Sequence, residues 1–305
     1  MARDANGDRD GGFLARLIDR ARVGRTLTLA VAHPCDRDTL AGLLDARDAG
    51  LVEPILVGPP AKIAAAAEAL GRPIDGIAVE PAPHSHAAAD VAVALARQGR
   101  VKAVMKGSLH TDELMHAVLD RAAGLRTERR LSHVYVLEVP SYAKPLFVTD
   151  AAVNIAPTLA EKADIARNAI ALARALGVER PRLAALSAVE ALTVMSRRGQ
   201  IEGGAIDGPL AFDNAIDAGA ARAKGIVSEV AGEADILLVP DLVSGNILAK
   251  QLVHLAGATA AGIVMGARVP IVLTSRADSP ATRLASIAIA SILADLARET
   301  GAGPR

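Results

Sequence analysis

A hydroxyl, a guanidinium and a carboxylate stand together at Ser275, Arg276 and Asp278, directly after the apolar run Val269-Pro270-Ile271-Val272-Leu273. A guanidinium grips phosphate oxygens through paired, charge-assisted hydrogen bonds. A serine hydroxyl donates to a carbonyl or a thiolate, and a carboxylate can take a proton. The run before them reads as a buried strand, and Ser279 followed by Pro280 reads as an N-cap and the first helical position. Ligands of open α/β sheets bind beyond the carboxyl ends of the strands, so this junction is a candidate site. The same residues also suit a plain turn in which Arg276 caps a neighbouring helix.

Other strand ends carry similar chemistry. Lys106-Gly107-Ser108-Leu109-His110-Thr111 joins a strand to a helix, and a lysine beside the free amides of a first helical turn makes an anion site suited to phosphate. Asp150 and Asn154, four apart, either orient a ligand or form Asx turns. Asp207-Gly208-Pro209 with Asp213 places two carboxylates around a rigid turn. Pro240-Asp241 leads through Gly245 and Asn246 into a helix, repeating the order strand, glycine, helix start. Several such turns imply one shared polar cleft. His33 with Cys35, and His84 with His86, are ligand types without a second pair, so no metal site is expected. No Gly-rich dinucleotide fingerprint follows a strand, and no Gly-x-Ser-x-Gly elbow occurs.

The elements that must position these residues alternate. Strand-like runs at Thr26 to Ala32, Ile55 to Val57, Ile77 to Val79 and Val101 to Met105 are separated by helical stretches that stop at Gly50, Gly71 and Gly99. Asp36 is expected to cap the first of these. Such alternation calls for a parallel sheet covered on both faces. After Arg130 the pattern breaks: Ser132 to Val139 and Pro145 to Thr149 lie too close for a helical crossover and read as a hairpin. Thr158 and Glu161 form a capping box for a helix stopping at Gly177. The Gly- and Ala-rich run to Gly266 is expected to pack closely on a neighbour, and the last helix runs from Pro280 to about Glu299. Residues 1–130 with 266–305 are therefore expected to form one α/β domain, and residues 131–265 an inserted second one.

Composition narrows the class. The 305 residues suit two domains. Lys plus Arg and Asp plus Glu both number 34, and aromatic residues make up 2%, which disfavours a nucleic-acid partner. One cysteine, Cys35, fits a reducing, cytoplasmic setting. The stretch Met1 to Asp10 lacks the apolar core of a secretory signal and reads as a frayed tail. The longest uncharged apolar run, Ala256 to Ala267, is 12 residues, short of the roughly 20 that span a bilayer, so no membrane association is expected.

Taken in order from about residue 100 to 283, five blocks resemble the phosphate acetyl/butyryltransferase family. They are Lys106-Gly107 with Thr111, Phe147 to Asn154, Asp207-Gly208-Pro209 with Asp213, Asp235 to Asp241 with Gly245-Asn246, and Leu273 to Arg276. The resemblance implies two α/β domains of the isocitrate and isopropylmalate dehydrogenase type with a cleft between them, and a homodimer. It also implies acyl transfer between coenzyme A and inorganic phosphate, with coenzyme A as substrate and no cofactor. On it, Ser275, Arg276 and Asp278 are the catalytic candidates. Lys106, Gly107, Thr111, Asp150, Asn154, Gly208, Pro209, Asp213, Gly245 and Asn246 are the binding candidates. The acetyltransferase branch carries an aspartate seven positions after the serine, where this chain has Thr282; Asp278 is the nearest substitute, and the wording Ser275 to Pro280 resembles the butyryl-type branch. Two other readings use the same architecture. One is an acyl-CoA or acyl-phosphate binding protein without turnover, and the other a metal- and NAD-dependent decarboxylating dehydrogenase drawing on Asp235 and Asp241.

Overall fold

The computed structural model describes residues 11–186, 190–275 and 278–300. Its first part alternates as the sequence does: α1 (Phe13–Val23), β1 (Leu27–Ala32), α2 (Arg37–Asp48), β2 (Val52–Gly58), α3 (Pro60–Leu70), β3 (Ala78–Pro81), α4 (Ser85–Arg97), β4 (Ala103–Lys106) and α5 (Thr111–Leu119). The hairpin β5 (Ser132–Glu138) and β6 (Leu146–Thr149) follows, then α6 (Leu159–Ala175), β7 (Arg182–Leu186), α7 (Glu190–Arg197) and β8 (Ala205–Leu210). Two short helices, α8 (Phe212–Ile216) and α9 (Ala218–Ala223), lead to β9 (Ile236–Leu238) and α10 (Leu242–His254). The chain ends with β10 (Thr259–Met265), β11 (Ile271–Val272) and α11 (Pro280–Thr300).

The helix starts follow capping chemistry. Asp36 accepts from the Thr39 amide at 2.8 Å, Thr158 and Glu161 close a full capping box on α6, and Ser279 Oγ accepts from the Thr282 amide at 3.1 Å ahead of Pro280. Gly71 ends α3 in the left-handed region that a side chain would resist.

The described strands form one sheet in the order β3-β2-β1-β4-β11-β10-β5-β6-β9-β7-β8. Pairing is parallel except where β10 meets β11 and β5, and where β5 meets β6. β11 pairs with β4 on one side and β10 on the other. The two faces of this sheet are covered differently. On one, a single apolar core runs from Leu29 and Leu56 through Val134 and Phe147 to Leu183 and Ile206, beneath α1, α2, α6 and α11. On the other the core is split. Ala30, Val104, Ile271 and Leu273 pack with α4 and α5, whereas Leu137, Val148, Leu237 and Ala260 form a separate cluster against which Leu248, Leu252 and Val253 of α10 lie. Along β10 the break between those two clusters falls between Val264 of the first and Ala260 of the second, at Gly262, which pairs with Tyr135 of β5.

The structure adds to two readings of the sequence and corrects one, the Asp207-Gly208-Pro209 turn. The small-residue run before Gly266 is itself a strand, β10, and its size is set from outside: a Cβ on Gly262 would stand 2.9 Å from His133 Nε2 and 3.1 Å from the Leu273 carbonyl oxygen. Asp207-Gly208-Pro209 is no turn but part of β8, an edge strand, where a proline costs no ladder bond. The last helix, 21 residues, is long and apolar enough by length and composition to cross a bilayer, yet Ile287, Ala288, Ile289 and Ala290 are fully buried against the sheet, as in a core helix.

Candidate active site

The gap on the split face holds two adjoining cavities. The first, about 410 Å³, is polar and is lined by Lys106, His110, Thr111, His133, Asn246 and Thr274, with Leu109, Ala152 and Leu273 among its apolar walls. The second, about 420 Å³, is lined by Ala249, Val253, His254, Ala260, Asp278 and Thr282. Tyr135, Lys250 and Ser275 line both, so they mark the junction.

Each side chain reaches this groove for a local reason. Lys106 closes β4 and is 6% exposed; its Nζ donates to the carbonyls of Leu109 at 3.0 Å and Gly107 at 3.3 Å, which pins the charge over its own loop. Gly107 serves the backbone more than a ligand, because a Cβ there would strike the carbonyl oxygens of Ala32 and His33 at the end of β1. Thr111 opens α5, and His110 before it gives no side-chain cap, which leaves the first-turn amides for a ligand.

On α10, Asn246, Lys250 and His254 recur every four residues and therefore project from one stripe into the groove. Asp241 sets the start of that helix by accepting from the Ser244 amide at 2.8 Å. The position of α10 depends on the 150–154 turn. The Asp150 carboxylate, 2% exposed, accepts from the amides of Ala152, Val153 and Asn154 at 2.9, 3.0 and 3.2 Å, and also from the Asn154 side chain. Asn154 Nδ2 in turn donates to the Leu131 carbonyl at 2.8 Å. Gly245 sits on this turn, where a Cβ would meet the Asp150 carbonyl oxygen at 2.6 Å, and Asn246 donates to the Ala151 carbonyl at 3.3 Å. Asp150, Asn154 and Gly245 thus position the helix and line neither cavity, whereas Asn246 lines the first.

At the junction, the Ser275 amide donates to Asp278 Oδ2 at 2.7 Å, and Arg283 from α11 spans the loop, donating to the carbonyls of Asp278 at 2.7 Å and Ser275 at 3.3 Å. Burial raises the Asp278 pKa above the ordinary carboxylate range, opposed by the Ser275 amide and by the charges of Arg283, Lys106 and His254. Burial likewise pushes the Tyr135 hydroxyl up to about 12, with Asp278 adding to it, so Tyr135 stays protonated. Replacing Arg283, 3% exposed, by Ala should cost about 2 kcal/mol, the loss of two charge-assisted bonds to carbonyls, read as a fall in the urea midpoint at unchanged slope. An unmoved midpoint would show that Ser275 and Asp278 are held without it.

Some sequence candidates lie elsewhere. Gly208 and Pro209 belong to β8, four strand spacings from β5, or about 19 Å. Asp213 is exposed on α8 and pairs with Lys224 at 3.3 Å. Neither group lines the groove. Arg276 lies outside the described residues, as does the stretch from Met1 to Asp10. Asp235 is occupied by the Arg182 amide at 2.8 Å and Lys144 at 2.7 Å, and Asp241 caps α10, so neither aspartate is disposed to hold a metal. Among the described residues no group of three His, Cys, Asp or Glu is placed to bind a metal ion. Reading the sequence missed His133, Tyr135, Lys250 and His254. The four-residue spacing after Asn246 was the available signal for the last two. His133 and Tyr135 offered only strand alternation.

A model of the family described as Phosphate acetyl/butaryl transferase matches residues 83–291. A phosphate acetyltransferase of Rhizobium meliloti is 55% identical over 292 residues, covering 92% of each chain. A phosphate butyryltransferase of Clostridium acetobutylicum is 39% identical over 291 residues, covering 91% of this chain and 97% of its own. Among solved structures, a branched-chain phosphotransacylase from Enterococcus faecalis V583 superposes with a TM-score of 0.74 at 28% identity, over 88% of this chain and 99% of that one.

Proposed function

The chain belongs to the phosphate acetyl/butyryltransferase family, and from that premise we propose how its groove carries out reversible transfer of a short acyl group between coenzyme A and inorganic phosphate. The observation that carries the assignment of parts is the junction: a polar cavity with a pinned ammonium meets a more apolar one at Ser275. The phosphate of an acyl phosphate occupies the first, against Lys106 and the first turn of α5, with Arg276 added by sequence position. The thiol end of coenzyme A enters the second, towards Asp278. The carbonyl carbon lies between them, where Ser275 and Lys250 can donate to its oxygen.

Asp278 takes the thiol proton, sulfur bonds to the carbonyl carbon, and the bond from that carbon to the phosphate oxygen breaks. Phosphate leaves with its charge matched by Lys106. In reverse, phosphate attacks acyl-CoA and Asp278 returns the proton to the thiolate.

The wider arrangement belongs to the same proposal. Residues 1–130 with 266–305 and residues 131–265 act as two α/β units of the dehydrogenase-like kind, supported by the break between the two cores on the site face. The family resemblance supports a homodimer, and the single free cysteine a cytoplasmic setting. Thiol-dependent consumption of acetyl phosphate with formation of acetyl-CoA is the direct test. Binding of coenzyme A without turnover would leave a binding protein in place of the enzyme.

A further inference from the structure

The length of acyl chain that the groove admits depends on what stands at the junction. Tyr135 is there, half-buried on β5 and lining both cavities. Its neighbours across the sheet on the same face are Gly262 of β10 and Val148 of β6. The next residue on that face of β10 is Ala260. On β10, then, only Gly262 and Ala260 flank the ring on this face, while Leu273 and His133 line the same cavity beside it.

The ring is also held. His133, two residues earlier on the same face and 1% exposed, packs edge-on against Tyr135 with ring centroids 4.5 Å apart and 74° between the planes. His133 has its own place only because Gly262 lacks a Cβ. Its Nδ1 is buried without a hydrogen-bond partner, and burial lowers its pKa to about 3, so the ring stays neutral at working pH. An uncharged imidazole wedged edge-on beside a phenol is a packing support, and it leaves Tyr135 little freedom to swing aside.

We propose that the Tyr135 ring is the wall that sets acyl chain length in this groove, admitting a two-carbon acyl group and excluding a four-carbon one. The inference rests on the acyltransferase reading above. With phosphate over Lys106 and the carbonyl at Ser275, the alkyl end points to the floor between Leu273 and Tyr135. A phenol ring is bulkier than the two methylenes that separate acetyl from butyryl. This preference runs against the butyryl-type wording of Ser275 to Pro280.

The test is kcat/KM for phosphorolysis of acetyl-CoA and butyryl-CoA by wild type, Tyr135→Ala and Tyr135→Phe. Wild type should favour acetyl-CoA. Tyr135→Ala should move the butyryl-to-acetyl ratio upward by about a hundredfold, the scale on which a pocket counts methylenes, chiefly through a lower KM for butyryl-CoA. Tyr135→Phe keeps the ring and should leave the ratio within about threefold of wild type. Should Tyr135→Ala not fold, Tyr135→Val, β-branched and suited to a strand, carries the same expectation. A wild type that prefers butyryl-CoA, an unmoved ratio in the small variants, or a shift in Tyr135→Phe as large as in Tyr135→Ala would each overturn the wall. Wild type turning over neither donor would overturn the acyltransferase reading and the wall with it. An active wild type with an unmoved ratio overturns the wall alone.

Discussion

Lys106→Met should lower kcat/KM for acetyl phosphate by about a hundredfold or more, while the fold survives. Lys106 is almost wholly enclosed at the end of β4, and its ammonium is fixed by two carbonyls of its own loop. A charge that is already oriented and poorly hydrated loses little on meeting a phosphate. It gains as the leaving phosphate develops negative charge, so its contribution is larger in the transition state than in the ground state. Methionine matches the length and apolar stem of lysine and fills the same space between β4 and α5, so packing is kept. The loss should therefore appear in kcat as well as in KM. A variant that raises KM alone would show that Lys106 holds phosphate equally in both states. Wild-type kinetics would take the polar cavity out of the mechanism.

How much of this was legible beforehand depends on whether a residue's partner is close in sequence. Caps were legible because Asp36 and Thr39, Thr158 and Glu161, and Ser279 and Thr282 are three residues apart. The hairpin was legible because five residues cannot hold a crossover helix. The strand β10 was not, because Ala260, Ala261 and Gly262 have no β propensity of their own; they are small because β5, β11 and α11 close in on them, the Gly262 amide donating to Ser286 Oγ at 2.9 Å. The residues in and beside the blocks that resembled the family divide in their physical work, and Gly208, Pro209 and Asp213 lie away from the groove altogether. Lys106, Thr111, Asn246, Ser275 and Asp278 face the groove. Asp150, Asn154 and Gly245 build the seat of α10, a role that spacing cannot distinguish from ligand binding, since a buried aspartate satisfied by backbone amides and one facing a substrate look alike in sequence. Tyr135 was silent because its meaning lies in the gap between two cores, and that gap exists only once β10 has been inserted between β5 and β11.

Asp278→Asn should lower kcat by roughly a hundredfold or more near neutral pH, the usual scale for a general base, with coenzyme A binding little changed. The substitution is nearly isosteric, and an amide oxygen can still accept from the Ser275 amide as Oδ2 does at 2.7 Å. Since burial raises this carboxyl's pKa, its ionised form is disfavoured by folding, so removing the charge should not destabilise the protein and lost activity cannot be put down to unfolding. The pH dependence has a definite sign. A base must be deprotonated to act, so wild-type kcat/KM should fall as pH drops through the raised pKa of Asp278, which places the acid limb above the ordinary carboxylate value of about 3.9. The coenzyme A thiol, with a pKa of roughly 8.5, is only a few per cent ionised at neutrality, so without the base the rate must follow the small thiolate fraction. Asp278→Asn should therefore lose the acid limb and rise tenfold per pH unit until the thiol itself titrates. Thr282 offers no substitute: its hydroxyl is 3.1 Å from Ser279 Oγ at the start of α11, and a hydroxyl takes no proton from a thiol near neutrality. If wild type and Asp278→Asn instead share one pH profile and differ by less than about threefold in rate, the thiolate reaches the groove already ionised and Asp278 does no more than hold the Ser275 amide.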